Sequence, residues 1–442
     1  MAARKLSVKW RQAPRKPSAT APWPSRNWWL CVLSGHRKNR AAPNIGDFGQ
    51  LTKPEPAFGI YIHWPFCQSK CPYCDFNSHV AEHIDQVAWR SAYLAELDHY
   101  AKETSARTVT SLFFGGGTPS LMPSKTATAI IETVRSRWKT AENLEITAEA
   151  NPSSSDIATF EGLAEAGVNR LSLGVQSFDD GALKFLGRAH DSSQALAAIT
   201  KAKQIFPRIS FDLIYGLPGQ SEAAWADALK DALSLAGEHI SVYQLTIEPG
   251  TDFHRQRVAP ADPELGAGLF EMTREILQNA GLPAYEISNH AQKGAECRHN
   301  LVYWRGEDYV GIGPGAHGRI SRPSKDNYDI EMTLAWRAPG AWLGQVQKSG
   351  SGLHKRQKLG LSERRDELFL MGLRLAEGVS AERFQRQTGI SLEDSVNEGA
   401  LEALIGENYL ICDTDGIRAT EAGLLRLDAV LAHLLSSAPE LQ

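Results

Sequence analysis

The chain has 442 residues, of which 42% are hydrophobic and 22% charged, as in a globular protein with a sizeable core. It contains no apolar run of about 18 residues, so we expect no membrane-spanning helix. The formal net charge is −4, but residues 1–46 hold ten Lys and Arg and no acidic residue, and the rest holds 37 basic and 51 acidic residues. That body lacks the basic excess that a general nucleic-acid binder needs.

The first 54 residues are predicted to lie outside the fold. They are basic and rich in Ser, Pro and Ala, which are features of an organelle transit peptide, although four prolines precede Arg26 and argue against a long amphipathic helix. A disordered tail or a start codon assigned too early explains the same composition. A secretory signal is disfavoured because no continuous apolar core follows the charged start.

From residue 58 the chain alternates apolar strand runs with stretches of helical periodicity. The strand runs are 58–64, 109–119, 144–152, 168–178, 209–219 and 239–250. The helical stretches between them include 84–102, 125–139 and 222–236. Repeated βα units with apolar strands predict a parallel sheet covered by helices. The predicted fold class is α/β, a partial (β/α)6 barrel, and a flat doubly wound sheet is the alternative.

Polar side chains follow the ends of these strand runs. They are Glu149, Asn151, Gln176, Asp212 and Gln244, and the run 109–119 ends in a glycine-rich turn. In barrels, the carboxyl ends of the strands carry the active site. A single polar residue at a strand end would mean little, but the repetition at successive strands predicts a functional site on this edge.

A different composition begins after residue 360. The segment SERRDELFLMGLRL predicts an amphipathic helix, and the region beyond it predicts a helix, a strand pair turning at 413–416 and a further helix. This order resembles a small winged-helix module. No basic face is evident, so packing or partner contact is favoured over DNA binding.

Three of the six cysteines are clustered in FCQSKCPYCDFN, with the spacing C-x3-C-x2-C. Cys67, Cys71 and Cys74 follow the first strand run and open the first βα loop. With His63 they could form a four-ligand zinc site. Alternatively, three thiolates could hold an iron–sulfur cluster with one iron left open to a small molecule. Zinc ribbons and fingers usually have a second C-x2-C, which this chain lacks, so the placement favours the cluster.

Several motifs together resemble one branch of a known superfamily. With Tyr73 before the last cysteine, C-x3-C-x-aromatic-C resembles the radical S-adenosylmethionine (SAM) superfamily. The motifs YIHWPFC, FFGGGTPS, EANP, RLSLGVQSF, LGRAH, DLIYGLPGQ and HNLVYW resemble its coproporphyrinogen oxidase-like branch, especially the HemW-type haem chaperones, over about residues 56–430. The divisions we expect are 1–54 (basic extension), 55–290 (radical SAM core), 291–360 (haem-motif connecting region) and 361–442 (winged-helix-like module).

The resemblance implies ligand sets for two cofactors. Cys67, Cys71 and Cys74 would hold a [4Fe–4S] cluster whose fourth iron binds the amino and carboxylate groups of SAM. The positions implied to contact SAM are Tyr61, Gly116, Gly117, Thr118, Glu149, Gln176, Arg188 and Asp212. Carboxylates and amides suit ribose hydroxyls and an ammonium, Arg suits a carboxylate, and glycines let the backbone approach a ligand closely.

Phe76 stands where the related coproporphyrinogen oxidases have a further cysteine, two residues after the third. HemW-type proteins share this lack, so the resemblance favours a chaperone and puts decarboxylation in doubt while leaving the cluster intact.

A second motif, CRHNLVYW, points to haem. The resemblance implies that His299 is a haem ligand and that Tyr303 and Trp304 offer an aromatic surface to the macrocycle. Cys297 and His317 are weaker candidates.

The predicted function is therefore a haem chaperone that transfers haem to acceptor proteins, with a [4Fe–4S] cluster and SAM as cofactors. The alternatives are an oxygen-independent coproporphyrinogen III dehydrogenase in porphyrin metabolism and a zinc-stabilised scaffold without redox chemistry. The expected partners are haem and an unidentified acceptor protein, through which peripheral membrane contact could arise, and no nucleic acid. The expected location is the cytoplasm, or mitochondria if residues 1–54 are a transit peptide.

Overall fold

The computed structural model describes residues 56–323, 328–436 and 438–441. The basic extension, with Cys31, lies outside the described residues. The strands are β1 (Phe58–Trp64), β2 (Phe66–Cys67), β3 (His79–Val80), β4 (Thr108–Gly116), β5 (Lys139–Ala150), β6 (Arg170–Gln176), β7 (Arg208–Tyr215), β8 (His239–Gln244), β9 (Asn289–Ala291), β10 (Asp308–Ile312), β11 (His317–Pro323), β12 (Tyr328–Ala335), β13 (Leu353–Lys358), β14 (Val379–Ser380), β15 (Leu410–Asp413) and β16 (Gly416–Ala419).

The α-helices are α1 (Gln86–Thr104), α2 (Ser124–Arg137), α3 (Ser154–Ile157), α4 (Phe160–Glu165), α5 (Asp180–Phe185), α6 (Ser192–Ile205), α7 (Glu222–Leu235), α8 (Asp252–Arg255), α9 (Pro263–Asn279), α10 (Arg298–Trp304), α11 (Pro339–Ser349), α12 (Leu361–Gly372), α13 (Ala381–Thr388), α14 (Glu398–Gly406), α15 (Glu421–Leu424) and α16 (Leu427–Ser436). Short 3-10 turns cover Pro119–Leu121 and Glu393–Ser395. Among the described residues, none of these helices is both long and apolar enough to cross a membrane.

The main sheet has eleven strands in the order β13-β12-β11-β10-β1-β4-β5-β6-β7-β8-β9. The strands from β10 through β1 to β8 pair in parallel. Strand β9 and strands β11 to β13 extend the two sides in antiparallel fashion. Within the described residues the two outermost strands pair with no further strand, so the barrel is open. The predicted α/β fold and its six βα runs are confirmed.

Strand β1 shows how the apolar runs build both faces of the sheet. All seven of its residues are buried, and its side chains alternate between the faces. Ile60, Ile62 and Trp64 belong to the main core beneath the outer helices. Tyr61 points to the opposite face, where it meets Phe113 of β4 and the segment that leads into α10. The inner face of the open barrel is therefore partly filled by α10.

The region predicted only as a connection, 291–360, contributes strands to the main sheet. Strand β10 pairs in parallel with β1, with Ile60 opposite Val310. Strands β11, β12 and β13 then continue outward as antiparallel neighbours. The outermost strand, β13, has the sequence LHKRQK. This polar composition suits an edge strand, which is exposed to water and needs few apolar side chains.

The C-terminal region has a hydrophobic core of its own. Helices α12, α13, α14 and α16 pack around a three-stranded sheet of order β14-β16-β15. The predicted helix, strand pair and helix are confirmed, since β15 and β16 pair between α14 and α16, with Asp413 opposite Gly416. The domain boundaries themselves stay predictions.

Candidate cluster and S-adenosylmethionine site

The three clustered cysteines lie in one closed loop at the carboxyl end of β1. The short strands β2 and β3 pair in parallel and bring Cys67 opposite Val80. The loop is tightened by hydrogen bonds from the Cys74 amide to the Cys71 carbonyl at 3.1 Å and from the His79 amide to the Pro65 carbonyl at 2.7 Å. All three thiols are free and half-buried. The loop therefore presents three thiols from one short, constrained segment.

Each thiol has a polar neighbour. The Thr118 hydroxyl donates to Cys67 Sγ at 3.3 Å, Arg188 Nη1 donates to Cys71 Sγ at 3.3 Å, and Cys74 Sγ lies 3.8 Å from the Ser78 hydroxyl. Burial raises the pKa of Cys67, and the neighbouring thiols at Cys74 and Cys71 raise it further. Burial also raises the pKa of Cys74. A positively charged metal centre suits such a loop, because it stabilises bound thiols as thiolates.

His63 is not available as the fourth ligand of a zinc site. Its ring Nδ1 lies 3.0 Å from the Tyr61 hydroxyl, and Nε2 lies 2.9 Å from the Asn77 carbonyl oxygen. Burial lowers the pKa of His63 to about 4, so the ring is neutral. Nε2 therefore donates to the carbonyl and Nδ1 accepts from the tyrosine, which leaves neither nitrogen with a free lone pair.

A cubane cluster fits the three thiols better than a single ion. In the part of the chain that the structure describes, no group of three or more His, Cys, Asp or Glu side chains is arranged to hold one metal ion. In a [4Fe–4S] cluster each thiolate binds a different iron, so the three sulfurs need not converge on one point.

The glycine-rich turn fits closely against the cysteine loop. A side chain at Gly116, whose φ is +116°, would come within 2.6 Å of the His63 ring, and one at Gly117 would come within 2.7 Å of the Phe66 carbonyl. The Gly117 and Thr118 amides donate to the Trp64 and Phe66 carbonyls at 2.7 and 2.8 Å. Glycine at these positions therefore lets β4 end directly beside the thiols. The Gly116 amide also donates a hydrogen bond to the Glu149 carboxylate at 3.3 Å.

Arg188 connects the thiol loop to the ends of β5 and β6. Its Nη1 contacts Cys71 Sγ and also the Tyr73 hydroxyl at 3.5 Å. Its Nη2 donates to the Gly174 carbonyl at 2.8 Å and to the Asn151 side chain. One guanidinium thus reaches four partners in three segments, which its planar fork of donors permits. Asn151 in turn donates to Thr118 at 3.0 Å.

Glu149 and Asp212 line a small polar cavity on the inner face of the barrel. The cavity is also lined by Phe113, Arg170, Ser172, Ser241, Tyr243, Asn289, Cys297 and Asn300. Burial, and then the charge of Glu149, raises the pKa of Asp212 to about 6. The cavity offers carboxylate, hydroxyl and amide groups together with the guanidinium of Arg170, and these groups suit a polar ligand. Glu149 connects the cavity to the glycine-rich turn, because it accepts from the Gly116 amide.

The structure brings most of the predicted SAM residues together. Gly116, Gly117, Thr118 and Arg188 lie against the thiol loop, Tyr61 contacts His63 just before it, and Glu149 and Asp212 line the cavity. Gln176, at the end of β6, is buried and has a φ of +71°. Gln244, which the sequence singled out only as a polar residue at a strand end, is exposed and lies beside Gly266 of α9.

Some cavity residues were missed by sequence reasoning. Arg170 is 2% exposed and begins β6, whose alternate residues Ser172, Gly174 and Gln176 share its face of the sheet. The alternation in RLSLGVQ was the available signal, because it places polar residues on one face and leucines on the other.

His299 lies in the interior of the barrel and is 1% exposed. Its Nδ1 lies 2.9 Å from the Ser111 hydroxyl and its Nε2 lies 2.7 Å from the Tyr303 hydroxyl. The ring stacks on Phe113, with centroids 5.0 Å apart, and on Tyr61, with centroids 6.2 Å apart. Iron ligation by His299 therefore requires the ring to give up one of these hydrogen bonds.

The two weaker haem candidates are placed differently. Cys297 is 1% exposed, and its Sγ lies 3.6 Å from Glu145 Oε1. His317 is half-buried at the start of β11, where it pairs with Leu334.

An open βα barrel with a three-thiol loop at the carboxyl end of its first strand is the arrangement of a radical SAM protein. The sequence pattern of the radical SAM superfamily matches residues 61–232, and that of the HemN C-terminal domain matches residues 359–426. The chain belongs to the radical SAM superfamily, in the HemW-type group.

Two relatives illustrate the match along the chain. The protein named "Heme chaperone HemW" of Escherichia coli is 38% identical over 388 residues, which cover 86% of this chain and 99% of the relative. The mouse protein named "Radical S-adenosyl methionine domain-containing protein 1, mitochondrial" is 36% identical over 420 residues, or 93% of this chain and 94% of the relative.

A solved structure supports the fold. Coproporphyrinogen III oxidase (HemN) from Escherichia coli superposes with a TM-score of 0.70 at 23% identity, covering 87% of this chain and 91% of the oxidase. This likeness concerns the fold alone.

Proposed function

We propose that this protein is a haem chaperone that binds haem and passes it to acceptor proteins, with a [4Fe–4S] cluster and SAM as cofactors. The observation that carries the proposal is the three-thiol loop without a fourth cysteine, in a chain that matches proteins named haem chaperones over most of its length. Phe76, which stands at the position of the fourth cysteine, is 38% exposed beside that loop.

Cys67, Cys71 and Cys74 hold the cluster. Thr118 and Arg188 donate to the sulfurs of Cys67 and Cys71 and so stabilise negative charge on them. When bound, the cluster supplies an open iron for the amino and carboxylate groups of SAM and an electron for its reductive cleavage.

The remaining SAM contacts follow from the cavity. Glu149 and Asp212 accept from hydroxyl or ammonium donors, and Arg188 pairs with a carboxylate. Gly116, Gly117 and Thr118 lie against the thiol loop, Tyr61 contacts His63 just before it, and Gln176 adds an amide at the end of β6. These roles are supported by the arrangement of the side chains around the thiol loop.

The proposed haem role of His299 carries a structural requirement. Both ring nitrogens of His299 have hydrogen-bond partners. The ring must therefore lose its hydrogen bond to Tyr303 or to Ser111 before a nitrogen lone pair can bind iron. Loss of the hydrogen bond to Tyr303 would free Nε2, which is the ring nitrogen farther from the backbone. A Tyr303→Phe variant removes that partner and should ease ligation if His299 is the ligand.

Haem titration of the anaerobically reconstituted protein tests the proposed function. We expect a saturable Soret band together with the broad absorbance of the cluster, which dithionite bleaches. The Cys74→Ala variant separates the two signals, because it should lose the cluster band. A reconstituted protein that holds full iron and sulfide but gives no saturable Soret band would rule out the chaperone function.

The compartment has two candidates. We propose the cytoplasm, as in a bacterial chaperone, with the mitochondrial matrix as the alternative. The mouse and cattle relatives have "mitochondrial" in their names, which supports the alternative, as does the basic composition of residues 1–54. Incubation of the full chain with isolated mitochondria distinguishes the two, because only the matrix alternative predicts import with cleavage near residue 54.

A further inference from the structure

Strand β6 ends in an unusual backbone conformation. Gln176, its last residue, has a φ of +71°, in the left-handed region that residues other than glycine rarely adopt. The pairing with β7 also shifts here. Leu173 pairs with Phe211, and Gln176, three positions further on, pairs with Leu213, only two positions beyond Phe211. A bulge of this kind redirects a side chain and is common beside active sites, where backbone strain often has a functional reason.

The bulge places the Gln176 side chain over Gly174, beside the proposed SAM site. A side chain at Gly174 would come within 2.9 Å of Gln176 Nε2. It would also come within 3.4 Å of Asn151 Oδ1 and 3.5 Å of Arg188 Nη2, and Arg188 contacts Cys71 of the thiol loop. Gln176 is 8% exposed, and its side-chain amide forms no hydrogen bond with another described residue. Because a buried amide needs a partner, this one is available to a ligand.

His190 holds the bulge from the loop between α5 and α6. Its Nε2 lies 3.0 Å from the Val175 carbonyl oxygen, and since a carbonyl can only accept, Nε2 carries the proton and donates. His190 is 4% exposed. Burial, and then the charge of Arg188, lowers the pKa of His190 to about 4, so the ring is neutral at pH 7. Arg188 donates to the preceding carbonyl, that of Gly174, at 2.8 Å. Two side chains of LGRAH therefore fix successive carbonyls of the bulge.

The segment that carries these two side chains also lies against the thiol loop. A side chain at Gly187, whose φ is +63°, would come within 2.6 Å of Pro72 Cδ. Pro72 stands between Cys71 and Tyr73, so the segment is packed between the thiol loop and the end of β6. Because the ring N–H of His190 is taken by the backbone, His190 acts on a ligand through the bulge.

We propose that His190 is a positioning residue for SAM, which fixes the bulge at the end of β6 and so aims the Gln176 amide at the ligand. Without the hydrogen bond to Val175, the backbone at Gln176 relaxes toward negative φ and the amide turns away. The amide offers donors and an acceptor, which suit the hydroxyl, amino and carboxylate groups of SAM. This inference rests on the proposed SAM cofactor and deepens it.

Calorimetric titration of SAM into the anaerobically reconstituted protein tests the role of His190. His190→Ala removes the donor and should weaken SAM binding about three- to tenfold. His190→Gln keeps an N–H donor at a similar reach and should recover most of the loss. His99→Ala, at a half-buried histidine of α1, is the matched control and should bind SAM as wild type does.

Two measurements in every variant separate positioning from loss of structure. Iron and sulfide content reports whether the thiol loop still holds its cluster, and urea denaturation reports folding. If His190→Ala does not fold, His190→Phe replaces it, because phenylalanine keeps the ring volume but has no donor.

A double-mutant cycle tests whether His190 acts through Gln176. Gln176→Gly removes the amide, accepts a positive φ without strain and should itself weaken SAM binding. In the Gln176→Gly background, His190→Ala should have no further effect on SAM affinity, because no amide remains to be aimed. An independent structural role would instead lower the affinity by the same factor in both backgrounds.

The outcomes distinguish this inference from the proposed cofactor. If wild type binds SAM and His190→Ala binds it equally well at equal iron content, His190 is not a positioning residue. Equal losses from His190→Ala with and without the Gln176 amide, or wild-type affinity in Gln176→Gly, would also overturn the inference. If wild type with full iron and sulfide binds no SAM, the proposed cofactor fails, and this inference fails with it.

Discussion

Arg188 Nη1 lies 3.3 Å from Cys71 Sγ, although the two residues are 117 positions apart in the chain. Three further hydrogen bonds hold the same guanidinium against Tyr73, Asn151 and Gly174. The contact makes one side chain part of both the thiol loop and the end of the neighbouring strands. A ligand on the cluster would therefore meet a cation that is already positioned.

Replacing Arg188 should weaken SAM binding. Hydrogen bonds to charged groups contribute about 1.5–3 kcal/mol, so we expect Arg188→Ala to lower SAM affinity roughly ten- to a hundredfold. Arg188→Lys should recover part of the loss, because it keeps the charge but cannot span four partners. Calorimetric titration of SAM into the reconstituted protein measures both. Unchanged affinity in Arg188→Ala would remove this residue from the site.

Removing one clustered thiol should abolish stable cluster assembly. Cys74→Ala leaves two thiolates, which cannot hold the cubane securely, so iron and sulfide after anaerobic reconstitution should fall sharply. Cys412→Ala is the matched control, because this half-exposed thiol lies on β15 in the C-terminal region and should keep full iron. A Cys74→Ala protein with wild-type iron and sulfide would contradict the ligand assignment.

The raised pKa of Asp212 predicts pH-dependent SAM binding. Burial, with Glu149 nearby, raises this pKa to about 6, so the carboxylate is charged above that pH and protonated below it. A charged carboxylate accepts hydrogen bonds from a positively charged ligand more strongly, so SAM affinity should fall as pH is lowered from about 7 to about 5. Asp212→Asn should show a flatter profile by titration at both pH values. The same slope in both proteins would assign the titration to another group.

Glu96 of α1 should contribute strongly to stability. It is fully buried, and its carboxylate accepts from the Gly313 and Gly352 amides at 2.8 and 2.7 Å and from Trp342 Nε1 at 2.9 Å. Glu96→Ala leaves three buried donors unpaired and should lower the free energy of unfolding by about 3 kcal/mol or more.

The same helix supplies a control for this prediction. Asp98 is 46% exposed and pairs with Arg137 at 2.6 Å, so Asp98→Ala should cost about 0–1 kcal/mol. Urea denaturation of the two variants measures the difference. Equal stability in Glu96→Ala and Asp98→Ala would show that the buried hydrogen bonds do not anchor α1 to the β10 side of the sheet.

The parallel core of the fold could be predicted from the sequence, because each strand run carries its own apolar signal. FGIYIHW is buried along its whole length, and β4 to β8 follow the runs in order. The strands that extend the sheet beyond β1, from β10 to β13, could not be predicted. Strand β10 is a short run whose partner, β1, lies more than 240 positions earlier, and local pattern carries no information on pairing partners.

The candidate site also has features that the sequence could predict and features that it could not. Cysteine spacing predicts a shared loop because the three thiols are close in the chain. Spacing alone also allowed His63 as a zinc ligand, and only the fold reveals that Tyr61 and Asn77 occupy both ring nitrogens. The partners of Arg188 come from three different segments, so its role depends on tertiary contacts that no local motif encodes.

The most direct test of the central claim is incubation of the reconstituted protein with SAM, a reductant and coproporphyrinogen III under anaerobic conditions. The chaperone account predicts that the porphyrinogen keeps its propionates, while the same preparation gives a saturable Soret band with haem. Accumulation of vinyl products over successive turnovers would contradict the account and identify the protein as an oxidase.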